Sequence, residues 1–380
     1  MSLVSVGIFT GCSDSNKTMI QKEVSFFLND STYAKFPVDL ALNEIRLQNG
    51  GETLVLEKKN DSTFLVPVFG GSWNIPPATT QGYWVDSLRG KNYTVNFKIQ
   101  NQTPFPKSST NFSGTWDVWF GKKDTSLAPE AEFDVRVQKG VAQGTFRTTT
   151  GDYRYFLGRF ENNQIRMQTY DGAHLYYVEA LLEDGDWVDG HFYSGNHYHS
   201  HWQGIPTERL KPKGEVTILE PEPSMMSLSV IHPQEGRVEL PLLAEEHEVL
   251  VVDILGTWCP NCMDEVRLLR DLQVNHPHVK LLSVAFERDT VPQNVFDRLG
   301  FYQSQLDVNW DFYWGGKASK TFAASVFPFL DKVTSFPTTL FIYPNGSVAV
   351  HRGFNGPATG VAYEEEVRLF NQLMSASSPF

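Results

Sequence analysis

Two of the three cysteines in this 380-residue chain are separated by two residues, in the stretch Thr257-Trp258-Cys259-Pro260-Asn261-Cys262. A pair at that spacing serves either as half of a metal site or as a redox-active dithiol. Structural zinc takes four ligands, and with no further cysteine in the region histidines would have to supply the rest. The surroundings favour redox chemistry. A hydrophobic run ending Val249-Leu250-Val251-Val252-Asp253-Ile254-Leu255 reads as a buried strand just before the pair. Met263 to Gln273 reads as an amphipathic helix after it, with Val266, Leu269 and Leu272 facing inward. A thiol where a strand turns into a helix lies against free backbone N–H groups and the positive end of the macrodipole, which favour its thiolate. Cys259 in that state attacks a disulfide, and Cys262, one helical turn on, resolves the mixed disulfide. Pro260 suits the first helical turn, where a missing N–H costs little.

With Trp258 in front of it, the motif resembles the thioredoxin superfamily, and within it the membrane-tethered TlpA/ResA-like branch. A second landmark, Ser335-Phe336-Pro337-Thr338-Thr339-Leu340-Phe341-Ile342-Tyr343, matches the family's cis-proline segment. The resemblance implies that Pro337 packs against the active-site sulfurs. Its backbone edge, with Phe336 before it, then takes the substrate strand, and Trp258 and Pro260 shape the docking surface. Asp253 occupies the place of the buried acid that shuttles the resolving cysteine's proton in thioredoxins proper, where the TlpA-like branch often has Asn. Glu265 matches an acidic position that tunes the thiols in the ResA-like branch. A buried, unpaired carboxyl has a raised pKa suited to proton transfer near neutral pH.

The likeness covers about residues 225–376, with a longer stretch between its landmarks than in minimal thioredoxins. It implies no cofactor beyond the redox-active disulfide Cys259–Cys262, partner proteins carrying disulfides or thiols, and an upstream protein that re-reduces the pair. Reduction is the implied direction. Potentials of Cys-x-x-Cys proteins span about 150 mV, so the motif itself does not set it. Neither Pro260 nor Asn261 is basic, which argues against a strong oxidant. A thiol peroxidase of the peroxiredoxin kind is the rival enzyme. It expects Thr or Ser three residues before the reactive cysteine, where Gly256 stands. A third reading makes the N-terminal region a binding module for glycan, lipid or metal, with the redox domain as accessory.

These elements must be carried by more than one core, given 380 residues. Upstream of the redox motif the idiom is β: short runs such as Val24–Leu28, Thr53–Glu57, Phe64–Val68 and Tyr93–Phe97, then Gly114–Trp119, Gln143–Arg147, Tyr153–Phe156, Ile165–Gln168 and Leu175–Val178, punctuated by Gly-rich turns. The second set suggests a sandwich or an up-and-down barrel, and its Gly114-Thr115-Trp116 resembles a lipocalin-like start. The reading is therefore multidomain: a signal remnant and tether over 1–17, β-rich domains over 18–105 and 106–210 (sandwich or barrel), a linker over 211–224, and an α/β thioredoxin-like domain over 225–380. The stretch Thr148–Tyr155 with Tyr170-Asp171-Gly172-Ala173-His174 resembles β-rich extensions found ahead of some TlpA-like domains.

An apolar run ending Phe9-Thr10-Gly11-Cys12 resembles a bacterial lipoprotein signal. It implies a lipid on Cys12, a membrane anchor and an extracytoplasmic, periplasmic or surface-facing location in the cell envelope. His191, His197, His199 and His201 fall close together, and a strand over 197–201 would put three imidazoles on one face. No carboxylate or thiol partner is evident in sequence, so no metal is assigned. Thirty-two basic against 44 acidic residues give a net charge of −12, and no basic cluster emerges to meet nucleic acid.

Overall fold

Strict alternation of buried and exposed residues, clearest in Thr94–Gln100, commits the N-terminal strands to a sheet with one packed face. In the computed structural model, which describes residues 19–86, 89–90, 93–103, 108–121, 126–207, 216–245 and 248–376, that sheet closes on itself. Eight antiparallel strands from Ile20–Phe27 to Thr94–Gln100 pair in chain order, and the last returns to the first through Glu23 opposite Gln100 and Phe26 opposite Phe97. Val24, Phe26, Phe36, Trp73, Trp84 and Phe97 fill the interior. The Phe64–Val68 run supplies only the strand Thr63–Leu65, because the chain turns at Pro67. Cys12, with the whole 1–17 segment, lies outside the described residues, as do Lys211 to Gly214 of the expected linker.

The next eight long strands, Phe112–Phe120 to Tyr198–Pro206, also pair in succession, and the last pairs with the first from Trp202 opposite Phe120 to Pro206 opposite Trp116. Both β regions are thus up-and-down barrels rather than sandwiches, closure pairing the first long strand of each with its last. Phe133, Phe146, Trp187 and Trp202 build the second core. Tyr170 leaves it and enters the first barrel, where Trp73 Nε1 donates to its hydroxyl at 3.0 Å and Phe26 stacks on it. Asn49 of the first barrel accepts from the Tyr170 backbone N–H at 2.8 Å.

Beyond residue 216 the idiom changes to strand–helix alternation. The strand Val249–Leu255 is buried along its whole length, as expected of a central strand covered on both faces. It runs parallel to Val279–Glu287 on one side and antiparallel to Thr338–Ile342 on the other. Asp311–Lys317 and the hairpin Ser227–His232/Gly236–Pro241 extend the sheet past Val279–Glu287, and Val348–Arg352 extends it past Thr338–Ile342. Helices α1 (Pro260–Gln273), α2 (Pro292–Leu306) and α4 (Val361–Ser375) cover one face, and α3 (Lys320–Val326) with the loop after it covers the other. The βαβ half carrying the cysteines and the ββα half carrying Pro337 together make a thioredoxin-like domain. No helix among the described residues is long and apolar enough to cross a membrane.

Two expectations need correction. Thr217–Leu219, inside the stretch read as linker, is the edge strand of this sheet and pairs antiparallel with Val348–Val350. The prolines at 221 and 223 end that strand rather than mark the boundary. The histidines also regroup. His197 precedes the strand Tyr198–Pro206 and packs edge-on against Tyr93 of the first barrel, 5.2 Å between ring centroids. His191 comes across from the neighbouring strand to stack with His199 and His201. Among the described residues no group of three His, Cys, Asp or Glu is arranged to hold a metal ion.

Candidate functional site

Cys259 is the N-cap of α1 and Pro260 its first residue, so the chain leaves the central strand and enters the helix across the motif. Cys259 and Cys262 form a disulfide with their Cα atoms 5.3 Å apart. Cys259 Sγ accepts the N–H of Cys262 at 3.2 Å, one of the free donors of the first helical turn. That bond and the helix dipole would hold a thiolate at Cys259 once the disulfide opens. Cys259 keeps 6% of its surface exposed and Cys262 none, so an incoming sulfur can reach only the first.

The Phe336–Pro337 peptide bond is cis, and the Phe336 carbonyl oxygen lies 3.5 Å from Cys259 Sγ. Gly353 N–H donates to Pro337 O at 3.0 Å and ties this turn to the loop after Val348–Arg352. Trp258 donates its indole N–H to Phe286 O at 2.9 Å, meets Phe336 edge-on at 5.7 Å, and carries the Arg288 guanidinium 4.5 Å above its ring.

Residues not singled out from sequence hold the loop before Cys259. Glu287 accepts both the N–H and the hydroxyl of Thr257, at 2.8 and 2.9 Å. Arg298 of α2 donates to the Thr257 hydroxyl at 2.9 Å and carbonyl at 2.7 Å. Burial pushes the Glu287 carboxyl up, opposed by the Thr257 hydrogen bonds and by Arg298. Such a closed network pins the backbone that presents the sulfur.

Asp253 of the central strand and Glu265 of α1 are buried, 1% and 0% exposed. Asp253 Oδ2 accepts from Ser283 at 3.2 Å, and Trp310 N–H donates to that same serine oxygen at 3.0 Å. Glu265 Oε1 accepts from Thr339, the residue opposite Asp253 on the next strand. Asp253 Oδ1 and Glu265 Oε2 have no hydrogen-bond partner among the described residues. Burial drives both carboxyls up, Asp253 to about 8 against the opposing Ser283 bond, and Glu265 well above its ordinary range, with the charge of Asp253 adding to the effect. Neither is the strand-edge or helix-surface acid that its sequence position alone permits.

The second barrel walls the site on its open side. A cavity of about 180 Å³ is shared by Trp258, Cys259 and Phe336 with Tyr153, His174 and Tyr176 of that barrel. The hairpin leading into Arg154 docks on the thioredoxin-like domain: Gly151 bridges to Phe354, and Asp152 accepts the Gly356 N–H at 2.6 Å. Burial raises the Asp152 carboxyl to about 6, reinforced by the charge of Asp264. Arg154 is 3% exposed and has a left-handed φ of 62°. Its guanidinium pairs with Asp264 of α1 and Glu52 of the first barrel, so one side chain joins all three units. No periodicity announces that arginine in the sequence. The Asp171–His174 turn was visible there only as part of a β-rich extension.

No protein-family model and no curated protein matches the chain. Among solved structures, the chain aligns with DsbF of Mycobacterium tuberculosis at 16% identity, over 42% of this chain and 100% of that one, with a TM-score of 0.29. A secreted thiol-disulfide isomerase from Corynebacterium glutamicum aligns at 12% identity over 45% and 98% (TM-score 0.30), and a thiol-disulfide oxidoreductase from Bacteroides fragilis at 14% over 38% and 96% (TM-score 0.27). At such scores the assignment of a thioredoxin-like domain rests on the chain's own strand order, its Cys-x-x-Cys at the start of α1 and its cis-proline.

Proposed function

We propose that the protein is a thiol–disulfide oxidoreductase acting on partner proteins through Cys259 and Cys262. The observation that carries this reading is the disulfide itself, capping α1 with Cys259 the one of the pair that keeps some exposure and the cis-proline turn against it. Cys259 forms the mixed disulfide, and Cys262 resolves it. The neutral carboxyls of Asp253 and Glu265 exchange the proton of Cys262, a role supported by their burial, their unpaired oxygens and the raised Asp253. Trp258, Pro260, Phe336 and Pro337 form the surface that receives the partner. Reduction of the partner is the proposed direction, with an upstream protein restoring the dithiol and no further cofactor required. The N-terminal motif supports a lipid on Cys12 and work in the cell envelope.

Turnover of insulin disulfides with dithiothreitol as reductant tests the reading. Cys259→Ser is expected to abolish it, and Cys262→Ser to accumulate mixed disulfides detectable by mass spectrometry. Catalysis by Cys259→Ser at the wild-type rate would refute the mechanism.

A further inference from the structure

The barrels do more than flank the redox domain, because one of them puts a polar group into the cavity at Cys259. His174 lies on the turn between the strands Gln164–Tyr170 and Leu175–Glu183 of the second barrel. Its Nδ1 meets Asp171 Oδ2 at 3.3 Å. The other oxygen of Asp171 accepts the N–H groups of Ala173 and His174 at 2.8 and 2.6 Å, so the carboxylate is locked in place. Tyr176 stacks on the imidazole at 5.1 Å with 16° between the planes. With Nδ1 turned to a fixed carboxylate, the tautomer is set and Nε2 remains; among the described residues it has no hydrogen-bond partner. His174 and Cys259 border the same cavity of about 180 Å³, the volume of about six waters at ~30 Å³ each. A substrate sulfur in contact with Cys259 there enters the cavity that His174 also lines.

We infer that His174, aligned by Asp171, exchanges the proton of the substrate sulfur at Cys259. The inference rests on the disulfide-exchange reading and adds a catalytic residue to it from outside the thioredoxin-like domain. From the oxidised protein, the substrate thiol gives its proton to His174 Nε2 and the resulting thiolate attacks Cys259 Sγ. The Cys259–Cys262 bond breaks with its electron pair on Cys262, which takes a proton from the Asp253–Glu265 pair. The products are a substrate–Cys259 disulfide, the Cys262 thiol, an imidazolium and one carboxylate, and the oxidant is the protein's own disulfide. In the reducing direction the imidazolium returns its proton to the departing substrate thiolate. The two sulfurs thus have separate proton partners, a buried carboxyl pair for Cys262 and a barrel histidine for the substrate.

The charged and titratable groups around His174 come from three sides. Asp171 and Tyr176 share its barrel segment, and Arg89 of the first barrel donates to Ala173 O at 2.9 Å. Asp152, Tyr153 and Arg154 reach the cavity from the docked hairpin, and Cys259 from the redox domain.

The test is single-turnover reduction of the oxidised full-length protein at pH 7, followed by alkylation of the released thiols and mass spectrometry. Two probes separate proton transfer from structural damage: 2-mercaptoethanol, an alkyl thiol protonated at this pH, and 5-thio-2-nitrobenzoate, an aryl thiol already ionised. His174→Gln is expected to slow the alkyl thiol about 100-fold, the scale of general acid–base catalysis, and to leave the aryl thiolate rate unchanged. Asp171→Asn, which frees the imidazole to turn, is expected to show a smaller loss with the same dependence on the probe. Equal losses with both probes, or no loss with 2-mercaptoethanol in either variant, would overturn the role of His174 while leaving disulfide exchange intact. A wild-type disulfide that neither probe reduces would overturn the exchange reading and the inference with it.

Discussion

Asp253→Asn changes one buried group without changing its size, and its consequence can be worked out in sign and magnitude. In the fold the carboxyl is raised to about 8, first by burial, with the Ser283 bond opposing. In the unfolded chain it titrates at the ordinary value of 3.8. Between those two pH values the folded state holds a proton that the unfolded state has released. Stability supplied by this group is therefore complete below about pH 4 and declines as pH rises toward 8. The decline is about 1.4 kcal/mol per pH unit, since that is the free energy of one pKa unit. Asparagine has no such proton, so its stability curve lacks this slope. From pH 5 to pH 7 the wild type should lose about 3 kcal/mol relative to the variant, on the order of two such units. Urea unfolding of both proteins at pH 5, 6, 7 and 8, kept oxidised so that the disulfide is constant, measures the difference. Parallel curves would mean that Asp253 is ionised in the fold, and it could then not serve as the proton donor to Cys262. The same substitution should slow the resolving step about 100-fold at neutral pH if the carboxyl transfers the proton.

Arg154→Met keeps the aliphatic stem but leaves the buried Asp264, among the described residues, ion-paired only with Arg267 at 3.4 Å. The expected cost is about 3–5 kcal/mol, seen as faster amide exchange in Thr148–Asp152 and at Gly356; unchanged protection there would show that the arginine does not clamp the units together. Gly151→Ala puts a methyl against the Asn261 side chain at a backbone φ of +144°, a region open almost only to glycine. A loss of about 1–3 kcal/mol in thermal unfolding is expected, and a variant as stable as wild type would show that the hairpin does not need this close approach.

The geometry at Cys259 was legible in sequence because every determinant is local: a strand, two cysteines one turn apart, and a proline able to start a helix. Pro337 was legible by motif, and α1 and the strand Val249–Leu255 emerge near their expected limits because apolar periodicity is a local property. The β regions were readable as strands but not as barrels. Closure depends on pairs far apart in the chain, such as Glu23 with Gln100 and Trp202 with Phe120. The histidines misled for the same reason: the strand after His197 sets a face within itself, whereas His191 joins His199 and His201 through cross-strand register.

Residue type and spacing alone determine that this protein sets one sulfur at the start of a helix with a second one turn on, since helix dipole, N-cap and one-turn reach all act within a few residues. Packing across domains decides what surrounds those sulfurs. It takes the carboxyls of Asp253 and Glu265 out of water, brings Arg154 between three units, and places the Asp171–His174 turn across the cavity from Cys259. Desolvation and long-range ion pairing depend on which surfaces meet, and segments about 85 residues apart in the chain have no local signal by which to announce that they will.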